Sequence, residues 1–401
     1  MSGVAVTGGR EALRTKMAAL RGTRILLRRT SLSCRLIPRR NRVKTKWAAT
    51  FPSFPATSLA LQNFDMSYGE PLGALWPSAR ISMLCEQKYG ALLNTFSETT
   101  GQVSDLQMKG AQDFVLCGIS TPGSVPRSDG AEANQADHVP KFSPGIQCFV
   151  FPKSDTSRFR PARPDSSGVL GYYLLDAASI LPVLALDVRE GHSVLDLCAA
   201  PGGKTLALLQ TQALKKLTVN DVSDSRLKRL RKMLQDYIPR EIWSENRVDI
   251  TSRDGRTWGE MGRSTFDRVL VDVPCTTDRH SVLEEENNIF KRSRTKERQR
   301  LPLLQTQLLV AGMEAVRPGG VVVYSTCTLS QLQNECVVEQ ALRVAQEELD
   351  IGVRVEDVGP LSRLFSTTFC FAPDRRLGAL VVPHLTANFG PAYFCKLQRV
   401  R

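Results

Sequence analysis

The second half of the chain alternates between short apolar runs and longer stretches whose apolar residues recur every three or four positions. The short runs predict strands, the periodic stretches predict helices, and their regular alternation is typical of a parallel α/β sheet. The predicted strands are 194–197, 217–220, 247–251, 266–273, 321–324, 379–382 and 392–397. The predicted helices are about 172–186, 224–237 and 301–316. We therefore expect a Rossmann-like α/β sheet of seven strands, the last two forming an antiparallel edge.

The first half has a less regular pattern and predicts a smaller, partly helical region. Apolar residues on one helical face predict a helix over about 80–97. The apolar run 146–151 predicts a strand, and residues 119–145, rich in Ser, Pro, Gly and Asp, predict a flexible loop. The expected parts are a basic tail at 1–46, an N-terminal accessory region at 47–164 and a main domain at 165–401.

The net charge of +13 is concentrated at the N-terminus. Residues 1–46 hold thirteen Lys and Arg residues against one acidic residue, Glu11, and therefore account for +12 of it. An Arg-rich, nearly acid-free segment that also carries apolar residues is typical of a mitochondrial presequence. A basic arm that binds RNA non-specifically is the other interpretation. We expect import into the mitochondrial matrix.

The sequence predicts neither a metal site nor a membrane span. The ten cysteines form no Cys-x-x-Cys pair and the four histidines are isolated, so that no metal site is predicted. Scattered cysteines of this kind fit a reducing compartment. No run of about 18 residues lacks both charge and proline, so that we expect no membrane span.

The stretch 194–205, Val-Leu-Asp-Leu-Cys-Ala-Ala-Pro-Gly-Gly-Lys-Thr, predicts a buried strand, a tight glycine turn and the start of a helix. Gly202 and Gly203 allow a close approach to a ligand, and the free N–H groups of the helix point to the same place. Such a turn holds a nucleotide-like cofactor at the carboxyl edge of an open sheet. A P-loop would need glycine where Cys198 stands, and the spacing does not match a dinucleotide fingerprint. S-adenosylmethionine (SAM), which has no phosphates, is the cofactor that we expect.

Acidic residues follow the next two predicted strands. Asp221 ends the second strand, where a carboxylate can accept hydrogen bonds from both ribose hydroxyls of a nucleoside. Helix capping is the alternative role, for which Asp224 is better placed. Asp254 and Gly255 follow the third strand and can receive the adenine amino group, although a plain turn explains them equally well.

Two cysteines stand where adjacent predicted strands end at the same edge. Asp272-Val-Pro-Cys275 ends the fourth strand and Ser325-Thr-Cys327 ends the fifth. A buried cysteine is usually a small hydrophobic residue, but these two lie in loops at the ligand edge. Asp272 could also be the acidic residue that holds the metal ion in a nucleotide hydrolase. The incomplete P-loop pattern disfavours that interpretation. Two thiols beside a methyl donor point to methylation of cytosine C5, because a thiolate that adds to C6 makes C5 nucleophilic.

The motifs at 196–205, 272–275 and 325–327, in this order, resemble those of the Nop/Sun-domain RNA (cytosine-5) methyltransferases. The resemblance covers about 165–401 and, with the basic tail, is strongest to mitochondrial rRNA methyltransferases of that family. It implies a SAM-dependent methyltransferase sheet, and RNA as the substrate.

The resemblance also implies roles for individual residues. Cys327 would be the nucleophile, Cys275 would help to release the product, and Asp272 would act as a base or position the cofactor. Gln333 stands where relatives often have Glu, and a preceding Pro is missing, so that the loop after the nucleophile departs from the family pattern. The implied SAM contacts are Gly202, Gly203, Lys204, Asp221, Arg226, Asp254, Gly255 and Asp272.

The segment between the two cysteine motifs is strongly basic and predicts either phosphate contacts or a solvated helix face. A target base has to leave its stack to reach Cys327, so that single-stranded or loop RNA is the expected substrate. The resemblance implies small-subunit rRNA as the target, on the mitochondrial ribosomal subunit, and a partner protein of the mitochondrial termination-factor family. The basic residues of the segment are Lys291, Arg292, Arg294, Lys296, Arg298 and Arg300.

Two other functions fit parts of the pattern. A mitochondrial ribosome assembly factor can keep the fold and bind RNA and SAM without essential catalysis. The presence of both cysteines and of the full glycine turn argues against this alternative. An amino-methyltransferase would need Asn/Asp-Pro-Pro-aromatic at the fourth strand, and Asp272-Val-Pro-Cys275 lacks its second Pro and its aromatic residue.

Overall fold

The computed structural model of the chain describes residues 54–120, 140–239 and 247–401. The predicted basic tail at 1–46 and most of the predicted loop at 119–145 lie outside the described residues. Within these ranges, no helix is long and apolar enough to cross a membrane, and no group of three or more His, Cys, Asp or Glu is arranged to hold a metal ion.

The described residues form helices and strands in alternating order. The helices are α1 (Ala56–Leu72), α2 (Trp76–Leu84), α3 (Thr100–Met108), α4 (Phe114–Ser120), α5 (Leu181–Ala185), α6 (Gly203–Gln210), α7 (Asp224–Tyr237), α8 (Trp258–Met261), α9 (Asp278–Leu283), α10 (Thr295–Ala315), α11 (Glu335–Glu347) and α12 (Gly359–Leu364). The strands are β1 (Gly90–Leu93), β2 (Gln112–Asp113), β3 (Cys148–Val150), β4 (Tyr172–Leu175), β5 (His192–Asp196), β6 (Leu214–Asn220), β7 (Val248–Thr251), β8 (Phe266–Asp272), β9 (Val316–Thr326), β10 (Val353–Glu356), β11 (Ala379–Val381) and β12 (Ala392–Arg399).

The larger sheet has the strand order β10-β12-β9-β8-β5-β6-β7, with β11 also paired to β12. The strands from β9 to β7 are parallel, whereas β12 is antiparallel to β9, β10 and β11. This order confirms the predicted Rossmann-like α/β sheet and its antiparallel edge. The sheet has eight strands rather than seven because the half-buried sequence Val-Arg-Val-Glu of β10 has no continuous apolar run.

The central strands are covered on both faces, which explains their continuous apolar runs. Val269–Val271 of β8 and Val322–Val323 of β9 are at most 1% exposed. One face packs against α5, α6 and α7, and the other packs against α10, α11 and the N-terminal helices α1 and α2. The N-terminal helices therefore belong to the same hydrophobic core as the sheet.

Two predicted helices are wrong in part. Instead of one helix over 80–97, the chain leaves α2 and enters β1. β1 is buried within a smaller antiparallel sheet of order β2-β3-β1-β4, and a Cβ on Gly90 would come within 2.8 Å of Ala177. The predicted helix over 172–186 begins instead as β4, the partner of β1, and becomes helical only at Ala177. Pairing between distant segments outweighs local helical periodicity at both places.

Other predicted elements are confirmed with shifted ends. The strand at 146–151 is β3, and the helix at 224–237 is α7. The helix at 301–316 is the latter part of α10, which begins at Thr295. Residues 317–320, between the predicted helix and the predicted strand 321–324, lie at the start of β9, where the register opposite β8 is irregular.

Candidate active site

The turn between β5 and α6 (residues 197–202), called the cofactor turn below, has the tight backbone that its glycines predict. Gly202 has a φ of 115°, and a Cβ there would come within 2.3 Å of Met233 Cε. Any other residue would therefore be strained and would displace Met233. Gly203 begins α6, whose first N–H groups have no intrahelical partner, and a Cβ on it would lie 3.3 Å from the ring of Tyr173.

Asp196, the last residue of β5, is fully buried. Its Oδ2 accepts a hydrogen bond of 2.7 Å from Thr205 Oγ1, whereas its Oδ1 has no partner among the described residues. Burial raises the pKa of Asp196 to about 7, although the hydrogen bond from Thr205 lowers it. A buried carboxylate oxygen without a donor offers a place for a donor or a cationic group of a ligand.

Asp221 follows β6 and is 2% exposed. Its Oδ2 accepts a hydrogen bond of 3.2 Å from Ala200 N and lies 3.1 Å from Arg226 Nη1, and its Oδ1 accepts one of 2.9 Å from Ser223 N. Arg226 in turn donates to the carbonyl of Ala200. Asp221, which follows β6, and Arg226, in the first turns of α7, therefore hold the cofactor turn in place. Their direct contact with SAM stays a prediction.

Asp221→Ala is expected to weaken SAM binding by about tenfold to a hundredfold, because losing a charge-assisted hydrogen bond costs about 1.5–3 kcal/mol and each 1.4 kcal/mol is about a factor of ten. Titration calorimetry on a variant with wild-type thermal unfolding measures the effect. Asp249→Asn, which alters a half-exposed carboxylate on β7, is the matched control and should bind SAM as before. Unchanged affinity of a folded Asp221→Ala would rule out the role.

Asp254 and Gly255 follow β7. The carboxylate of Asp254 accepts hydrogen bonds from the backbone N–H and the guanidinium of Arg256, and the bond to this side chain lowers the pKa of Asp254. A Cβ on Gly255 would come within 2.6 Å of Leu308, so that glycine allows α10 to pack closely here. These contacts fit the turn interpretation, and the adenine contact stays a prediction.

Lys204 and Asp272 join the cofactor turn to the end of β8. Lys204 Nζ lies 2.8 Å from Asp272 Oδ2, and Asp272 Oδ1 accepts a hydrogen bond of 2.7 Å from Ser325 Oγ on β9. Burial lowers the pKa of Lys204, but the negative charge of Asp272 and the hydrogen bond to it more than offset this effect, so that the pKa is raised. A charged ammonium therefore stands between the cofactor turn and the cysteine loops.

The thiols of Cys275 and Cys327 face each other, with their sulfur atoms 3.2 Å apart. Asp272 and Ser325 are paired across β8 and β9, so that the two loops leave the sheet side by side. Cys327 is exposed, Cys275 is half-buried, and both are free thiols. The structure thus brings together two thiols that are 52 positions apart in the sequence.

The two thiols ionise as a pair. Their mutual hydrogen bond lowers the pKa of Cys275, which also accepts a hydrogen bond from Thr277 N. The same bond raises the pKa of Cys327. The pair therefore releases its first proton more readily than its second. One thiolate and one thiol then face the site together, which suits a reaction in which one sulfur attacks and the other assists release.

Three contacting residues were not predicted from the sequence. Thr205 and Ser325 stand inside the quoted motifs, where each hydroxyl residue lies close to the end of a strand. Their hydrogen bonds to Asp196 and Asp272 could therefore have been predicted from those motifs. Tyr173 comes from β4, in the region predicted as a helix, and no local pattern indicates its position beside Gly203. The motifs therefore located the site, but not every side chain that lines it.

The rim fits SAM better than it fits a nucleotide phosphate. It presents the carboxylates of Asp196, Asp221 and Asp272, whereas Lys204 and Arg226 are already paired with two of them. SAM carries positively charged sulfonium and ammonium groups and ribose hydroxyl donors, which carboxylates can bind. The cofactor turn, this rim and the order of the sheet fit a SAM-dependent methyltransferase.

Comparison with known proteins narrows this class. The sequence model of the family described as 16S rRNA methyltransferase RsmB/F matches residues 183–364. The chain is 53% identical to the 5-cytosine rRNA methyltransferase NSUN4 of Xenopus laevis, over 96% of this chain and 100% of that protein. It is 56% identical to the protein of the same name from Mus musculus, over 91% and 94% of the two chains. The chain belongs to the RNA cytosine-5 methyltransferase family.

A solved structure agrees with the fold. The crystal structure of NSun6 from Pyrococcus horikoshii with SFG has a TM-score of 0.56 to this chain at 17% identity, and the match covers 86% of this chain and 98% of that one. At this identity the likeness shows the fold. It places most of the described chain, and not the sheet alone, within one known architecture.

Proposed function

We propose that the protein methylates C5 of a cytosine in mitochondrial small-subunit rRNA through a covalent bond between Cys327 and C6 of the base. The observation that carries the proposal is the pair of thiols 3.2 Å apart beside the Lys204–Asp272 ion pair. Relatives at 53–56% identity are named rRNA methyltransferases, whereas mitochondrial tRNA methyltransferases are 35–38% identical, which favours rRNA. The 16S rRNA in the description of the matching family supports the small subunit.

The mechanism begins with attack by Cys327 and ends with release assisted by Cys275. When the proton that the two sulfurs share lies on Cys275, Cys327 is the thiolate. It forms a bond to C6 as the π bond between C5 and C6 breaks, and the released electron pair makes C5 nucleophilic. SAM held at the cofactor turn would supply the methyl group, which C5 takes as the bond between the methyl carbon and the sulfonium sulfur breaks, leaving S-adenosylhomocysteine. A base then removes the C5 proton, the double bond re-forms, and the bond between Cys327 and C6 breaks. Cys275 assists this last step.

Asp272 is the group that we assign to the base or to cofactor positioning. Its carboxylate lies between Lys204 of α6 and Ser325, which precedes Cys327 by two residues. From there it can accept the C5 proton or a hydrogen bond from the amino edge of cytosine. Lys204 supplies the positive charge that keeps this acceptor beside the cofactor turn.

Cys275→Ala tests the covalent step. Attack and methyl transfer should proceed in this variant while elimination stalls, so that a protein–RNA adduct accumulates and survives denaturing gel electrophoresis. The matched control is the double variant Cys275→Ala with Cys327→Ala, which should form no adduct. A Cys275→Ala protein that binds small-subunit rRNA and SAM but forms no adduct would contradict the proposed mechanism.

The basic segment 291–300 supports an RNA substrate. Gln305, in the middle of α10, donates a hydrogen bond of 2.8 Å to the carbonyl of Pro274, which fastens α10 beside the Cys275 loop. We assign the segment to phosphate contacts that hold the strand while the target base is turned out of its stack. Arg294 forms an ion pair with Glu297, and Arg298 lies over the ring of Phe290. The basic residues of the segment without an ion pair within the described ranges are Lys291, Arg292, Lys296, Arg298 and Arg300.

We place the protein in the mitochondrial matrix. The support is the composition of residues 1–46 together with relatives that are named mitochondrial methyltransferases. A reporter fused to residues 1–46 should enter mitochondria, and dissipating the membrane potential should abolish its import. The control is the same fusion with its basic residues changed to Gln, which should stay in the cytosol. A nuclear or cytosolic signal from the unchanged fusion would refute this placement.

A protein partner is also part of the proposal, because the chain beyond residue 46 is nearly neutral and carries little general affinity for RNA. We propose a helical-repeat protein of the mitochondrial termination-factor family, and a role in ribosome assembly on the small subunit. Bisulfite sequencing of mitochondrial RNA in cells that carry only Cys327→Ala separates methylation from assembly. Normal ribosomes without the methylated cytosine would favour the assembly-factor alternative.

A further inference from the structure

A buried carboxylate joins the two loops that carry the thiols. Asp278, the first residue of α9, is fully buried and forms no ion pair within the described residues. Its Oδ1 accepts a hydrogen bond of 2.6 Å from Thr276 Oγ1, next to Cys275. Its Oδ2 accepts one of 2.8 Å from Leu329 N, and its own N–H donates to the carbonyl of Cys327 at 3.3 Å. One residue therefore ties both loops together.

A second layer of hydrogen bonds braces the same loops. The hydroxyl oxygens of Thr276 and Thr328 lie 2.9 Å apart, and Tyr68 Oη of α1 lies 3.3 Å from Thr328 Oγ1. Gln333 accepts a hydrogen bond of 3.2 Å from Thr276 N and donates one of 3.1 Å to its hydroxyl. All four of these residues are buried. The network is shielded from solvent, connects both loops and extends to α1 through Tyr68.

Burying a carboxylate with no cation beside it is unfavourable for the fold. Burial raises the pKa of Asp278, and the hydrogen bonds from Thr276 and Leu329 lower it. An apolar side chain would fill the same space without this desolvation. What the carboxylate supplies is a pair of acceptors with fixed directions, one for each loop. This arrangement serves the placement of the loops more than the stability of the fold.

We propose that Asp278 is a positioning residue that sets the 3.2 Å separation of the Cys275 and Cys327 sulfurs through Thr276 and Leu329. The role rests on the proposed function, because it affects turnover only where both thiols act on one base. Attack on C6 and release both need the sulfurs at defined positions, and a displacement of about 1 Å can lower a rate by about a hundredfold.

The test compares Thr276→Val, which removes the hydroxyl but keeps its shape, with Thr276→Ser, which keeps the hydroxyl. We expect Thr276→Val to lower kcat by about tenfold to a hundredfold while KM for RNA and Kd for SAM stay unchanged, and we expect Thr276→Ser to restore kcat. Thr306→Val is the matched control and should keep full kcat, because its hydroxyl bonds only within α10. Asp278→Asn places an amide N–H group opposite a hydrogen-bond donor, Thr276 or Leu329, in a buried site, and kcat should fall further than in Thr276→Val. Thr276→Val is the milder change and decides the test.

A second measurement, the rate of disulfide formation between Cys275 and Cys327, reports on the distance between their sulfur atoms independently of catalytic activity. Diamide accepts the two electrons and two protons that Cys275 and Cys327 lose as they form a disulfide, and peptide mapping identifies the product. The wild-type protein, Thr276→Ser and Thr306→Val should form this disulfide at the same rate, whereas Thr276→Val should form it more slowly because its sulfurs are held less closely.

The outcomes separate the two proposals. A slower disulfide and a lower kcat in Thr276→Val, both restored by Thr276→Ser, support the positioning role. Unchanged disulfide formation in Thr276→Val overturns it, whatever happens to turnover, as does a Thr276→Ser variant that behaves like Thr276→Val. If Cys327→Ala keeps its activity, the covalent mechanism fails, but the disulfide rates still decide whether Asp278 sets the separation.

Discussion

Cys327→Ala is expected to abolish methylation and to form no covalent complex with RNA. Without a thiolate that adds to C6, C5 of cytosine has no route to become nucleophilic, and the other thiol, 3.2 Å away, is assigned to release rather than attack. Methyl incorporation from labelled SAM into a small-subunit rRNA fragment measures the loss, and titration with SAM verifies that the cofactor site is intact. Cys336→Ala, a change to a half-buried thiol in α11, is the control and should keep its activity.

Two results would change this interpretation of the cysteines. An adduct that accumulates with Cys327→Ala instead of Cys275→Ala would reverse the two roles and leave the chemistry in place. Full activity of both single variants would exclude the covalent mechanism, because neither thiol of the pair would then be needed for attack on C6.

Asp272→Asn is expected to lower the single-turnover rate by about a hundredfold to ten-thousandfold, the range typical of a lost general base. The change also leaves the ammonium of Lys204, 2.8 Å away, without its charged partner. Asn keeps the size of the side chain and one oxygen that can accept from Ser325, so that the fold should persist. Quenched-flow measurement of methyl transfer from preformed complexes gives the rate, and Asp249→Asn should match the wild-type protein.

The affinity for SAM separates the two roles assigned to Asp272. A slow rate with unchanged SAM affinity would identify Asp272 as the base or as a contact of the cytosine edge. A weaker affinity with a normal rate at saturating SAM would identify it as a cofactor-positioning residue. A variant with both properties unchanged would remove Asp272 from the site.

The cofactor site was predictable because its signals are local. A run of apolar residues that ends in Asp196, followed by Gly202, Gly203 and a helical stretch, predicts strand, turn and helix without any distant contact. The left-handed φ of Gly202 and the start of α6 at Gly203 confirm this. The same reasoning placed two cysteines at one edge of the sheet, since the carboxyl ends of parallel strands meet there.

The elements that were predicted wrongly depend on partners far along the chain. The apolar spacing within 80–97 fits a helix, but residues 90–93 are a strand because they pair with β3 and β4 and pack closely on Ala177. β10 was missed because its alternating, half-buried sequence acquires a strand conformation only by pairing with β12. Local periodicity contains no information about which distant segment will supply those hydrogen bonds.

The sequence by itself determined the parallel α/β class with its antiparallel edge, the cofactor turn and the residues of the two cysteine motifs. Only the tertiary structure decided that the two sulfurs lie 3.2 Å apart, that Asp221 and Arg226 brace the turn, and that Asp278 joins both loops. The contact of Tyr68 with Thr328 spans 260 positions. The physical reason is that strand and turn formation depend on neighbouring residues, whereas a catalytic distance depends on how separate elements pack.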